Sequence, residues 1–171
     1  MHKLILGSIE VLHELVKLIQ QLDDECYCYP AQPLFNSPIG SHVRHILDIY
    51  QALMCAQHNF IDYDVRRRGN DVESKRLAAL KELIIIENWL LALNEEQFSQ
   101  VKVVKTEVCL SQQESENFTS TLGRELCFAS SHVTHHLALI VAIARSMNIQ
   151  INGQLGIAPA TATFLRQQAA S

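Results

Sequence analysis

The sequence lacks the excess of positive charge that most nucleic-acid-binding proteins carry. Its 171 residues include 14 Lys and Arg against 18 Asp and Glu, which gives a formal net charge of -4. Because binding to a phosphate backbone depends on Lys and Arg, this balance argues against a nucleic-acid partner. The one basic run, Arg66–Arg68, is short and follows Asp62 and Asp64.

The hydrophobic segments that direct a chain into or across a membrane are also missing. The apolar N-terminus is soon interrupted by Glu10, His13 and Glu14, and no small-residue cleavage site follows. The longest uninterrupted apolar run, residues 137–144, is much shorter than the roughly 20 residues that span a bilayer. We therefore predict a cytoplasmic protein without a membrane partner.

Cysteine is present, but without the spacing of a disulfide framework or a zinc ribbon. The five cysteines are an odd number and include no C-x-x-C pair. A cytosolic domain of this length rarely depends on disulfides. The pattern therefore predicts free thiols at residues 26, 28, 55, 109 and 127.

Hydrophobic residues recur at helical spacing in four long segments. The second segment starts at Ser37 and Pro38, a serine N-cap followed by proline at the first helical position. Asp71 is the predicted cap of the third. The four predicted helices cover residues 3–22, 38–58, 71–93 and 122–147. On the third helix, the predicted apolar side comprises Leu77, Leu80, Ile84 and Leu91.

Residues 101–110 have a different character, because Val101, Val103 and Val104 are β-branched. A turn-like tract follows at 111–115, and residues 116–121 can return as a second strand. A short helix is predicted near 160–168. The chain is thus expected to be a single all-α domain over residues 1–171, a four-helix bundle with a small β-hairpin between helices 3 and 4.

Five of the eight histidines fall into two groups, one on the second predicted helix and one on the fourth. His132 and His136 are four residues apart, so they lie about 40° apart on the helix surface and can bind one metal ion together. His132 with His135 is a compatible alternative. The second helix can supply a third ligand through His45 or His42. Three protein ligands leave a coordination position for water or substrate.

Two carboxylates accompany these histidines. Glu125 lies two helical turns before His132 on the same face, where it could accept an imidazole N–H or act as a general base. Its alternative role is that of a helix-start carboxylate near the positive end of the dipole. Asp48 can orient His45 or pair with Arg44.

The two histidine motifs together resemble those of the DinB/YfiT-like family of proposed metalloenzymes. Residues 37–47, Ser-Pro-Ile-Gly-Ser-His-Val-Arg-His-Ile-Leu, are similar to the helix-two motif, and residues 131–136, Ser-His-Val-Thr-His-His, to the helix-four motif. The resemblance implies a four-helix bundle with His45, His132 and His136 as ligands of Zn²⁺ or Ni²⁺. Many relatives continue with Arg-Gly-Gln after the second motif, where this chain has Leu137, Ala138 and Leu139.

Some members of that family transfer low-molecular-weight thiols, so the resemblance implies a metal-dependent thiol transferase or hydrolase acting on a small molecule. Tyr63 and the run Arg66–Arg68 could border an anionic substrate. The alternative is a non-catalytic, dimeric, stress-related interaction protein in which the histidines form a satisfied polar core. In a homodimer, Trp89 with Leu90 and Leu91 could form the contact, although these residues also fit a buried core.

Overall fold

Four long helices pack side by side in the computed structural model, which describes residues 2–151 and 153–170. Shorter helices lie between and after them. α1 and α3 each contact both α4 and α6, so α1 lies diagonally opposite α3. In chain order the helices are α1 (Lys3–Gln20), α2 (Asp24–Cys28), α3 (Ile39–Met54), α4 (Arg76–Ala92), α5 (Glu95–Phe98), α6 (Leu122–Ser146) and α7 (Pro159–Ala169).

The long helices α3 and α4 are shorter than their patterns predict. Pro38 is the N-cap residue of α3 rather than its first helical residue, and the helix ends at Met54. His58 and Asn59 adopt positive φ angles of 52° and 62°, which a continuing right-handed helix does not allow. Before α4, the residues from Asp71 form only a 3₁₀ turn, capped by the side chain of Asn70.

The buried face of α4 is not the predicted one. Leu77, Ile84 and Leu91 are 69%, 58% and 54% exposed. The residues of α4 that enter the core are instead Ala79, Leu83, Ile86 and Leu90. Because apolar side chains surround this helix, their spacing alone does not select the face that packs on α1 and α3.

The predicted hairpin is present, and it belongs to a sheet of three strands. β2 (Val101–Glu107) and β3 (Ser115–Thr121) pair antiparallel, and β1 (Phe60–Asp62) lies parallel to β2 on its other side. β1 lies between the second and third predicted helices, where the sequence predicted no strand. β3 runs directly into α6, so the sheet is fixed at the N-terminal end of the helix that carries the second histidine motif.

α6 runs through the middle of the apolar core. In the described part of the chain it is the one helix whose length and composition would also allow it to cross a membrane. Its apolar side chains instead pack on other helices, with Leu126, Leu137 and Ile140 fully buried. That burial is typical of the core helix of a bundle.

The C-terminal segment folds back over α1 and α6. The Gly156 N–H donates to the Glu14 carboxylate at 3.1 Å. A Cβ at Gly156 would lie 2.6 Å from the Ala138 nitrogen, and its φ is +72°, so only glycine fits here. Beyond this crossing, α7 corresponds to the short helix predicted near 160–168, and none of its residues is buried.

Candidate metal centre

The histidines meet where α3 faces α6. α6 is rich in Ala and Leu, and the Thr121 side chain caps it by accepting from the Arg124 backbone N–H. Residues four apart share a helix face, so His132 and His136 project together toward α3. From α3, His45 projects toward both of them.

The three imidazoles point their Nε2 atoms at one another. The distance between Nε2 of His45 and Nε2 of His132 is 2.9 Å. The Nε2 atoms of His136 and His132 are 3.0 Å apart. One nitrogen of each residue lies within 4.8 Å of the other two, and His136 is buried while the other two are half-buried. The chain fold thus brings together three histidines from two distant segments, and their ligation of a metal stays a prediction.

Hydrogen bonds among these three rings do not account for their arrangement. A neutral imidazole nitrogen offers one N–H or one lone pair, so Nε2 of His132 has no second bonding site of good geometry for its second neighbour. A cation shared by three lone pairs satisfies all three. Tetrahedral zinc, with Zn–N bonds of about 2.0–2.1 Å, holds its nitrogens roughly 3.3 Å apart. Small outward shifts of the rings would therefore accommodate an ion, and the donor set fits a divalent metal.

The surroundings keep the imidazoles neutral, which is the form that binds metals. Burial lowers the pKa of His136 to about 3, and the neighbouring His132 and His45 add to the effect. Burial, with Arg66 and His132, lowers the pKa of His45 to about 4. The pKa of His132 is lowered by burial and by His135. At neutral pH the lone pairs are therefore available.

The two alternative ligands lie behind this cluster. Nδ1 of His42 is 3.1 Å from Nδ1 of His136, on the side of the His136 ring away from His132. His135 is exposed, with its ring centroid 5.3 Å from that of His136. Neither joins the group of nitrogens formed by the other three within the described residues.

A buried ionic network adjoins the histidines on α3. Asp48, 4% exposed, accepts from Arg44 and, at 2.7 Å, from Nε of Arg67. Arg44 also donates to Glu73 at 2.5 Å, and Arg67 binds both oxygens of Glu82. Asp48 therefore pairs with Arg44, one of its two predicted roles. The pairing with Arg67 was not predicted, because sequence reasoning does not position the loop that carries Arg67 relative to α3.

Glu125 is buried at the start of α6, where protein donors surround it. Tyr63 Oη donates to Oε2 at 2.8 Å, while Ser120 Oγ at 2.5 Å and Arg124 Nη1 at 3.1 Å donate to Oε1. Burial, with the charge of Glu125, raises the pKa of Tyr63, so its hydroxyl stays protonated. This carboxylate joins α6 to the ends of β1 and β3. Its predicted catalytic role stays a prediction.

An adjoining cavity of about 400 Å³ has Tyr63, Glu125 and Phe128 in its wall. The Phe128 ring lies between the cavity and the histidines, 5.5 Å from the ring centroids of both Tyr63 and His132. Arg66 donates to the Tyr63 carbonyl, and within the described chain it forms no ion pair. Together with burial, its charge lowers the pKa of His45 and His132.

Comparison with known proteins gives one sequence relative of limited coverage. No protein-family model matches the chain. FK506-binding protein 5 from Rhizopus delemar is 29% identical over 108 residues, which are 63% of this chain. The match spans only 28% of that relative's length.

The similarity to a solved structure is broader. YfiT from Bacillus subtilis, described as a probable metal-dependent hydrolase with an unusual four-helix bundle topology, aligns with a TM-score of 0.60. The alignment covers 86% of this chain and 87% of YfiT, at 18% sequence identity. At that identity the likeness concerns the fold, and the chain therefore has a DinB/YfiT-like fold.

Proposed function

We propose that this chain is a metal-dependent hydrolase of small molecules, with His45, His132 and His136 as the ligands of one zinc or nickel ion. The observation that carries the proposal is the convergence of three neutral Nε2 atoms that hydrogen bonds cannot jointly satisfy. The description of YfiT as a probable metal-dependent hydrolase supports the same reaction class.

A divalent ion in such a site supplies a water whose pKa falls to about 7, and hence a nucleophile at neutral pH. The protein's part is to hold and orient. α3 and α6 fix three imidazoles, and Arg66 offers a positive charge to an anionic substrate or to the charge that develops during hydrolysis. Tyr63 and Phe128 form an aromatic wall along the adjoining cavity.

Glu125 is assigned a positioning role in this scheme. Both of its oxygens accept hydrogen bonds from protein donors, which leaves little capacity to take a proton from water. By accepting from Tyr63, it holds one side of the cavity wall in place. A role as general base would require that these bonds open.

Thiol transfer, the other reaction that the resemblance to the DinB/YfiT-like family implies, is less well supported here. Leu137 and Leu139 stand where many relatives carry Arg and Gln, and the Leu137 side chain is fully buried. An apolar side chain in the core cannot contact a polar thiol cofactor. We therefore rank hydrolysis first and keep transfer of a low-molecular-weight thiol as the second reaction to assay.

We also propose that the protein is a cytoplasmic homodimer. Leu90 is fully buried in the chain's own core, so a contact through Trp89 and Leu90 is less well supported than one through the outer face of α4. That face exposes Leu77, Ile84, Ile85 and Leu91. Contiguous apolar side chains of this kind often mark an interface, and the mass of the protein in solution tests it.

Elemental analysis of protein purified without an affinity tag tests the metal site. We expect close to one zinc or nickel per chain in the wild type and none in the double variant His132→Ala/His136→Ala. His13→Ala is the matched control, because His13 is exposed and pairs with Glu87 on the surface. Hydrolysis and thiol-transfer assays then follow on the loaded protein.

Absence of metal from the wild type, even after reconstitution, would overturn the proposal. It would leave the non-catalytic interaction protein with a histidine-rich core as the better interpretation.

A further inference from the structure

Next to the cluster of His45, His132 and His136 lies a contact between two histidines that the proposed ligand set does not explain. His42 lies one turn before His45 on α3, and its Nδ1 is 3.1 Å from Nδ1 of His136. The two rings are tilted by 47°, with their centroids 5.3 Å apart. His42 itself is half-buried, whereas His136 is only 9% exposed.

The position of His136 determines which nitrogen carries its proton. Its Nε2 faces His132 and His45 in the cluster, so this is the nitrogen whose lone pair would bind the metal. A neutral imidazole with a lone pair on Nε2 carries its proton on Nδ1. That buried N–H needs an acceptor, and His42 Nδ1 is the atom at hydrogen-bond distance.

The same contact determines the tautomer of His42. To accept from His136, its Nδ1 must present a lone pair, which leaves its own proton on Nε2. In most metalloproteins the acceptor behind a ligating histidine is a carboxylate, a backbone carbonyl or water. A neutral imidazole acceptor orients the ligand without bringing a negative charge next to the metal.

We propose that His42 is a positioning residue, which fixes the tautomer and ring orientation of His136 by accepting its Nδ1–H. The inference rests on the proposed metal site and deepens it. It also excludes His42 as a ligand of the same ion, because a ring that meets His136 at Nδ1 lies on the opposite side of that ring from the Nε2 cluster.

Two amide variants separate the hydrogen bond from simple packing. In His42→Asn, the Oδ1 atom can occupy nearly the place of Nδ1 and accept from His136. In His42→Gln, the longer side chain carries its oxygen past that position. Both variants are polar and uncharged, so they share the loss of the ring and differ in where the acceptor lies. His135→Asn is the control, because the His135 ring contacts the rings of His132 and His136 without a nitrogen-to-nitrogen hydrogen bond.

The measurement is zinc affinity by competition with a chelator, with thermal melts to verify folding. We expect His42→Gln to bind one zinc per chain with 10–100-fold lower affinity, the loss typical of removing such a support. His42→Asn should stay within a few-fold of the wild type, as should His135→Asn. Long-range ¹H–¹⁵N spectra of the loaded wild type should show His42 protonated on Nε2.

Equal affinities of His42→Gln and the wild type would overturn this inference and leave the metal site intact. Loss of zinc from both His42 variants would also overturn it, because it would identify His42 as a ligand. A wild type that binds no zinc would overturn both this inference and the proposed function.

Discussion

Two polar clusters lie next to each other on α3, and they are built on opposite principles. In the ionic network, Arg44 and Arg67 each meet two carboxylates, and every close contact joins a donor to an acceptor. In the histidine cluster, nitrogen faces nitrogen at 2.9 and 3.0 Å. The first cluster is complete with protein groups alone, whereas in the second a bound cation would complete the contacts between the nitrogens.

This difference distinguishes a stabilising ionic network from a candidate binding site on the same helix. The ionic network connects α3 to α4 and to the loop after β1. The backbone at Gly40 also lies close to this network, because a Cβ there would lie 1.9 Å from the Glu73 carbonyl oxygen. Only glycine lets this backbone approach so closely, which holds Glu73 at Arg44. The histidine cluster joins α3 to α6 and brings one nitrogen from each of three rings together.

The largest effect should come from breaking the ionic network. In Asp48→Ala, the buried guanidinium of Arg44 and the half-buried guanidinium of Arg67 lose a shared partner. We expect the free energy of unfolding to fall by about 3–5 kcal/mol. Urea denaturation measures this loss. Asp71→Ala removes the exposed pair with Lys75 and should cost no more than about 0.5 kcal/mol. Equal losses in the two variants would contradict the distinction between a buried joint and a surface pair.

Much of this architecture follows from the sequence. Helical periodicity predicted the four long helices, because each has a face that must be buried, and the Val-rich stretch predicted the hairpin. The spacing of His132 and His136 predicted that they project together. The order of the two motifs, with the family resemblance, selected His45 as the residue that meets them.

Other features depend on tertiary contacts that no local pattern encodes. β1 has only three residues and exists because β2 offers it a parallel partner. The face that α4 buries follows from packing, because apolar residues surround the helix. The contacts of Arg67 with Asp48 and of His42 with His136 join segments whose relative placement only the fold determines.

Acid should destabilise the metal-free protein through the histidine cluster. The folded-state pKa of His136 is lowered from 6.5 to about 3, so below pH 6.5 the unfolded chain takes up a proton that the folded chain does not. Stability is therefore highest above pH 6.5 and falls toward pH 4, by up to about 1.4 kcal/mol per pH unit for this residue.

Urea denaturation in EDTA at pH 7.5 and pH 5 tests this dependence. His136→Gln should show a shallower loss over the same interval, because glutamine does not titrate. A variant that keeps the full slope would mean that other groups cause it.

Among the substitutions within the two clusters, His45→Leu should change stability least, and it distinguishes a metal site most clearly from a satisfied polar core. His45 lies less than one turn from Asp48 on α3. Removal of its imidazole nevertheless leaves no buried charge unpaired, and leucine fills a similar volume. If the cluster exists to hold a metal, the metal-free variant should unfold within about 1 kcal/mol of the wild type, while zinc affinity falls at least 100-fold. If the histidines instead form a satisfied polar core, the same variant should lose several kcal/mol without any metal present. Unfolding measured in EDTA therefore decides between an enzyme site and a structural core, because only the structural core requires His45 when no ion is bound.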